Sequence, residues 1–402
     1  MLKLACDFQK GVFMTYKLED YLFFRGAFDY TAAPVNEIDE MVFASLGKAD
    51  YTGILSADES STYANAFNKF FSMHGEQENL ALGLLESPIM MKTLHTISKC
   101  SRYSNIRIIH FVNKVSHEET EQMSALTVHG PNGKIYVTYR GTDDTLIGWK
   151  ENCELAILES VPAQRDAVAY LETVAAEFQG PIVVSGHSKG GNLAVYAAVN
   201  AGEEVRERIE KVISYDGPGF LPDFFNQQGY LDIKDRITTI VPNASIIGML
   251  MSHAGRLDVV DCQHDGPLAH DIFIWNLLSN CFERTRKLSE MSAVFHRAID
   301  QTLNKLDMQQ RQELVDEIFD VLSSTGADNL LDFTEHTASQ ALRISVRAQK
   351  SKEIKQFFLL LTRYTAKGTM NNTIDEVQEK VHDKLIEPVK EKIESIRESY
   401  KP

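Results

Sequence analysis

The stretch Pro181-Ile-Val-Val-Ser-Gly-His-Ser-Lys-Gly-Gly-Asn-Leu-Ala-Val-Tyr-Ala-Ala198 decides how this chain is read. An apolar run ends in Gly186-His187-Ser188-Lys189-Gly190, and a helix-favouring segment begins at once. Strand, G-x-S-x-G and helix in that order build a nucleophile elbow. The demand behind the glycines is steric. A serine hydroxyl lifted above a sheet on a sharp turn sits in strained backbone, so the residues two positions away must lack Cβ. Gly186 and Gly190 meet that demand, and Gly191 lets the helix approach the strand. The turn also aims a helix N-terminus at the site, where N–H groups hold a developing oxyanion. Ser188 is the candidate nucleophile.

An elbow serine needs a base and an acid, which in α/β-hydrolases follow in the order Asp or Glu, then His. The next apolar run, Lys211-Val-Ile-Ser-Tyr-Asp-Gly-Pro-Gly-Phe220, reads as a strand ending at Asp216 and broken by Gly217-Pro218-Gly219. Asp216 then lies on the same sheet edge as Ser188, either as the triad acid or as a plain turn aspartate. Many hydrolases carry the acid one strand later. Here Asn243 and Ser245 follow Arg236-Ile-Thr-Thr-Ile-Val241, and neither holds a negative charge. Asp216 is therefore the candidate acid, with Asp261 and Asp265 as further options. After a strand-like Arg256–Cys262 comes Gly266-Pro-Leu-Ala-His-Asp-Ile-Phe-Ile-Trp275. His270 is the candidate general base there, a loop histidine anchored by a following helix. His264 and His253 are rivals, whereas His187 leaves the turn in another direction from Ser188 and reads as structural.

Upstream, Lys134-Ile-Tyr-Val-Thr-Tyr139 alternates as a strand does, and Arg140-Gly-Thr-Asp-Asp144 follows it. Thr142 is a candidate oxyanion donor through its backbone N–H, beside the N–H of Lys189; the rival reading is an ordinary turn. Ile106–Val112 reads as another strand, on which His110 is a packed or edge histidine. A helix over 163–178 precedes the 181–187 strand. Strand–helix–strand order on both sides of Ser188 predicts a parallel sheet with helices on its faces. The aromatic loop 217–235, with Phe220, Phe224, Phe225 and Tyr230, either lines an acyl pocket or covers the core.

Tyr139-Arg-Gly-Thr142, Trp149, Gly-His-Ser-Lys-Gly-Gly191 and a late histidine together resemble class 3 lipases. Arg140–Asp144 with Gly148-Trp-Lys-Glu151, Asp216–Phe220 and His270-Asp-x-Phe-x-Trp275 resemble more closely an uncharacterised bacterial branch of lipase-like α/β-hydrolases, a domain of unknown function. The resemblance spans roughly residues 18–285. It implies Ser188 as nucleophile, His270 as base, and Thr142 with Lys189 at the oxyanion hole; lipases whose acid follows the strand after the elbow add weight to Asp216. The chain departs from class 3 lipases at Lys189, where leucine is usual, at Asn152, where aspartate is usual, and in lacking an apolar lid helix after Trp149. A soluble esterase fits these departures better than an interfacial lipase.

The expected fold is α/β, an α/β-hydrolase with a mostly parallel central sheet over 18–285, after a tail of 1–17. Beyond 285 the apolar spacing turns helical, from Leu288 to Leu303, across 309–322 and 338–364, and again from Ile374 to Ile396. Residues 286–402 read as a helical C-terminal module that packs on the hydrolase, meets a protein partner or self-associates. A net charge of −15 over 402 residues disfavours nucleic-acid and anionic-lipid surfaces. Five cysteines without a C-x-x-C pair suggest a reducing compartment and no zinc site. No secretion signal and no membrane-length apolar run is evident, so a cytoplasmic enzyme is expected. The implied activity is hydrolysis of a carboxylic ester, lipid-derived or otherwise, through an acyl-enzyme that needs no metal or organic cofactor. The alternative is a catalytically silent lipase-like scaffold that binds or regulates through its C-terminal helices.

Overall fold

A computed structural model describes residues 15–56, 59–74, 89–143, 145–262, 264, 266–289, 292–293, 296 and 307–323. The N-terminal part holds helices α1 (Leu18–Arg25) and α2 (Glu37–Ser45), strand β1 (Ser60–Thr62), then α3 (Tyr63–His74), α4 (Met90–Lys99) and α5 (Ser101–Ser104). Next come β2 (Arg107–Ser116), β3 (Glu121–His129), β4 (Ile135–Tyr139), α6 (Leu146–Glu154), α7 (Pro162–Glu177), β5 (Ile182–His187) and α8 (Lys189–Asn200). These lead into α9 (Glu203–Arg208), β6 (Ile209–Tyr215), α10 (Gln228–Ile233), β7 (Ile237–Pro242) and β8 (Arg256–Val260). The short strands β9 (Leu277–Leu278), β10 (Cys281–Phe282) and β11 (Arg284–Thr285) follow, and α11 (Met308–Ser323) is the last element described.

The frame is a nine-stranded sheet in the order β1-β2-β3-β4-β5-β6-β7-β8-β11. Strands β4 to β8 pair in parallel, and the flanking pairs are antiparallel. Parallel neighbours need crossover connections, and right-handed crossovers that step steadily one way leave their helices on one face. The other face must be covered from elsewhere, and the N-terminal helices do that.

Side-chain alternation separates the two layers. Ile135, Val137 and Tyr139 of β4, Ile182 and Val184 of β5, and Val212 of β6 face the core under α7 and α8. Tyr136, Val183, Ile213 and Tyr215, their in-between neighbours, face the core built by α1 to α4. The period-2 pattern of each strand is thus apolar on both sides, as a sheet covered on both faces requires. Helix α7 starts with proline in its first turn and buries Ala163, Ala167, Tyr170, Leu171 and Val174 at helical spacing. Helix α2 is fixed by a capping box in which Asn36 accepts from the Ile38 N–H at 2.9 Å and Asp39 accepts from the Asn36 N–H at 2.9 Å.

Helix α11 packs on α6. Val315 and Phe319 bury against Ile157, bordered by Trp149 and Cys153, and Lys150 reaches Asp316 at 2.9 Å. The helical readings over 338–364 and 374–396, and most of 288–303, lie outside the described residues. No helix among the described residues is long and apolar enough to cross a membrane.

Candidate active site

The parallel strands deliver their C-terminal ends to one edge, the side where open α/β sheets bind ligands. Ser188 follows β5 directly and Asp216 follows β6 directly; Ser245 comes from the loop after β7, and His270 from the segment after β8.

Ser188 has φ 58° and ψ −132°, a conformation that costs a non-glycine residue on the order of 1–3 kcal/mol. The surroundings over-determine it. Its N–H donates to the Tyr215 carbonyl at 2.9 Å, and its carbonyl accepts from Gly191 N–H at 2.8 Å. A Cβ on Gly186 would lie 2.1 Å from the Gly190 carbonyl oxygen, and one on Gly190 would lie 2.1 Å from that of Tyr139. Both obstacles are backbone atoms, so these two positions admit only glycine. Ser188 keeps partial solvent access, and no hydrogen bond to its Oγ occurs among the described residues.

Asp216, also at positive φ (48°), is fully buried. His270 Nδ1–H donates to its Oδ2 at 2.6 Å, and the Ser245 hydroxyl donates to its Oδ1 at 2.5 Å. With Nδ1 carrying the proton, the lone pair of His270 sits on Nε2. The His270 backbone is held as firmly. His187 Nε2–H donates to its carbonyl at 2.8 Å, while Lys48 Nζ donates to His187 Nδ1 at 3.1 Å. An ammonium offers only donors, which fixes that tautomer of His187. Among the described residues no α-helix follows His270 directly, contrary to the sequence expectation. Two 3₁₀ turns, Gly266–His270 and Ile272–Ile274, do the anchoring. Asp271 accepts from Phe273 N–H at 2.9 Å and Trp275 Nε1–H donates to the Ala269 carbonyl at 2.8 Å. Polar ties and a buried indole replace the periodic apolar face that a helix would need.

The loop after β4 runs against the serine: a Cβ on Gly141 would lie 3.0 Å from Ser188 Cβ and 3.7 Å from its Oγ. Thr142, next in the chain, accepts through Oγ1 from Asn152 Nδ2 at 2.6 Å. Asn152 belongs to α6, a helix that the charged run after Trp149 did not announce. Thr145 caps it, accepting from Gly148 N–H at 3.1 Å, and a Cβ on Gly148 would lie 2.8 Å from Thr142 Cγ2.

The Lys189 side chain is buried and forms an ion pair with Glu151 of α6, while donating to the Gln122 carbonyl at 2.7 Å. Burial lowers its pKa below the ordinary lysine value, and the Glu151 charge opposes that shift.

Among the described residues, Asp261 and His264 make no hydrogen bond to Asp216 or His270, whereas His253 lies near enough to Asp216 for that charge to oppose the effect of its burial. Asp261 accepts from Asn243 at 3.0 Å and from Asn276 at 2.6 Å, and His264 is exposed. Asp265 falls outside the described residues. Among those described, His253 has both ring nitrogens enclosed without a partner, and its burial lowers its pKa. His110 sits at a bulge in β2, 3.1 Å from Glu177 and edge-on to Phe178. In the aromatic loop, Phe220 and Phe224 stack at 3.8 Å and belong to the core beneath α8. Among the described residues no group of three His, Cys, Asp or Glu side chains could hold a metal ion.

A mostly parallel sheet clothed on both faces, with Ser188 on a tight strand–helix turn, defines a lipase-like α/β-hydrolase fold. Residues 97–320 match the Mbeg1-like family, and the chain belongs to that lipase-like family. No match occurs among curated proteins. Among solved structures, a triacylglycerol lipase described by its serine-protease triad is similar at 17% identity, over 56% of this chain and 80% of that one, with a TM-score of 0.34. The Rhizomucor miehei triacylglyceride lipase is similar at 15% identity, over 57% of this chain and 81% of that one, also at 0.34. A fungal lipase–inhibitor complex matches at 13% identity over 61% and 82%, at 0.36.

Ser245 and Glu151 are neighbours of the candidate residues whose contacts the sequence reading did not anticipate. Ser245 carried a signal, since it stands where many hydrolases place the acid. It instead donates to the aspartate one strand away. The signal for Glu151 was Lys189 itself, a charge at a position that the fold encloses.

Proposed function

We propose that this protein is a serine hydrolase that cleaves a carboxylic ester through an acyl-enzyme. The observation that carries the reading is the buried 2.6 Å contact between His270 Nδ1 and Asp216 Oδ2, at the sheet edge where Ser188 tops a positive-φ turn. Structural aspartate–histidine pairs are common. A pair beside a serine held in strained, half-accessible backbone has the composition of a catalytic triad on a nucleophile elbow.

In the proposed mechanism Ser188 Oγ attacks the ester carbonyl carbon and passes its proton to His270 Nε2. Asp216 keeps the imidazole in the required tautomer and stabilises the imidazolium. The carbonyl oxygen becomes an oxyanion held by the backbone N–H groups of Thr142 and Lys189. Collapse breaks the C–O bond to the alcohol, which leaves with the proton from His270. Water then attacks the acyl-enzyme with His270 as base, releasing the carboxylate and restoring Ser188. Hydrogen bonds between nucleophile and base often tighten only when substrate arrives, so the unbonded Ser188 Oγ is compatible with this sequence of steps. The substrate is an ester of a lipid or of another small molecule; on its cysteine pattern we place the enzyme in the cytoplasm.

Labelling with a fluorophosphonate, beside Ser188→Ala and with mass mapping of the adduct, tests the reading. An adduct on Ser188 that is missing from the variant, together with turnover of short p-nitrophenyl esters, is expected. Folded protein that neither labels nor turns over esters would overturn it in favour of a silent scaffold.

A further inference from the structure

Lys189 and Glu151 are both entirely enclosed, with side chains 0% exposed. Taking two charges out of water costs several kcal/mol per ion, and an apolar pair of similar size would usually serve stability as well or better. The pair is therefore informative for what it orients. Lys189 Nζ donates to Glu151 Oε2 and to the Gln122 carbonyl at 2.7 Å. The same Glu151 oxygen accepts from Gln122 N–H at 2.9 Å, which closes a ring of contacts, and Oε1 accepts from Ala163 N–H at 2.9 Å. Glu151 thereby ties α6 to β3, to the start of α7 and to the first residue of α8.

Both ends of this tie reach the proposed oxyanion donors. Lys189 follows Ser188 directly, and its own backbone N–H is one donor. The neighbour of Glu151 on α6, Asn152, donates to the Thr142 side chain at 2.6 Å, and the Thr142 N–H is the other donor. Two backbone groups far apart in sequence must hold one oxygen between them within a few tenths of an ångström. Hydrogen bonds within either loop alone do not set the distance between the loops.

We propose that Glu151 is a positioning residue, which through its ion pair with Lys189 sets the separation of the Thr142 and Lys189 N–H donors, with Asn152 as the second tie of the same strut. The proposal rests on the serine-hydrolase reading, and its test is built to fail separately from it.

Three variants are compared with the wild-type full chain: Glu151→Gln, Asn152→Ala, and the double change Glu151→Gln with Lys189→Met. A single change can unfold the protein by leaving one charge buried and alone. The double change removes both charges and leaves an amide whose oxygen can still accept from one of the two backbone N–H groups that Glu151 holds. On a p-nitrophenyl ester, kcat should fall about 10²-fold in the variants at Glu151, the lower end of the cost of losing one such donor. KM should stay within about threefold, because only charge that develops in the transition state is affected. Asn152→Ala should lose about tenfold in kcat by the same principle.

Amide hydrogen exchange, measured on the same proteins without ligand, is the second readout. Amides of 141–143 and 189–191 should exchange at least about tenfold faster in the double variant, with β5 and β6 unchanged. Wild-type kcat and wild-type exchange in a folded double variant would overturn the proposal. So would loss expressed in KM alone. If the wild type hydrolyses no ester, the hydrolase reading is what fails, and exchange at 141–143 and 189–191 still decides whether Glu151 positions these loops.

Discussion

The β5–α8 turn and helix α6 flank the same serine and are built by opposite means. At the turn, backbone meets backbone: Gly186 and Gly190 leave about 1 Å less than any Cβ needs, and carbonyls of β4 and α8 occupy the space. At α6, side chains do the work. Glu151 reaches Lys189, Asn152 reaches Thr142, and Gly148 rests against the Thr142 methyl group. A contact between backbones has no cheap way to yield, whereas a side chain can change rotamer. The first half of the site should therefore be brittle and the second adjustable.

The largest expected effect breaks the comparison if it is absent. Gly190→Ala drives Cβ to 2.1 Å from the Tyr139 oxygen and must displace β4 or α8, so a loss of about 4 kcal/mol or more is expected. Gly148→Ala meets Thr142 Cγ2 at 2.8 Å, which overpacks by about 1–3 kcal/mol and regains about 1 kcal/mol of helix propensity. Urea titration of both variants should give midpoints far apart, with the first barely folded. Similar midpoints would mean that the turn relaxes as freely as the helix.

This contrast also explains what could be read from sequence. The parallel strands β4 to β8, the two-faced sheet and the chain order of Ser188, Asp216 and His270 follow from local patterns, whereas β1 and β3 were not read: alternation, glycines at fixed offsets and turns after apolar runs mark the former. Backbone packing leaves such marks because only glycine fits. The α6 strut left none. Its residues Lys150, Glu151, Asn152 and Glu154 look like a solvated face, and only the fold encloses Glu151 by laying β3 and the start of α7 over it. The anchoring of His270 was misread for a related reason, since single hydrogen bonds from Asp271 and Trp275 have no period. Ser245 was noticed for the charge it lacks, and its hydroxyl could be paired with Asp216 only once β6 and β7 were seen side by side.

A side-chain scaffold should also respond to pH. Beside Gln122, the residue that grips both Glu151 and Lys189, lies the buried Glu121, within 2.7 Å of Lys114, which also reaches Asp166 at 2.6 Å. Burial, with Lys114 opposing and Asp166 assisting, pushes the Glu121 carboxyl up to about 7. An unfolded glutamate titrates near 4.3, so between those values the native state keeps a proton that the unfolded chain has released. Stability from this group is present at low pH and falls as pH rises toward 7. Glu121→Gln should flatten that fall by about 2 kcal/mol, read from the difference in urea stability between pH 5 and pH 7.5. An unchanged difference would show that Asp166 takes up the proton instead.

The smallest effect sharpens the comparison at the serine itself. Ser188 pays for its position with a φ of 58°, and every substitution that keeps Cβ keeps that strain. Ser188→Gly relieves on the order of 1–3 kcal/mol of it and returns about 0.5–1 kcal/mol to the entropy of the unfolded chain. The net expectation is a variant about 1 kcal/mol more stable than wild type, a rise of about 2–4 °C in Tm, with ester turnover lost. Ser188→Ala should lose turnover without that gain, which makes it the control. If the two variants melt together, the turn is unstrained, and the glycines around it serve packing alone. If only glycine stabilises, the backbone holds the hydroxyl against its own conformational preference, and stability has been given up at the one residue proposed to attack the substrate.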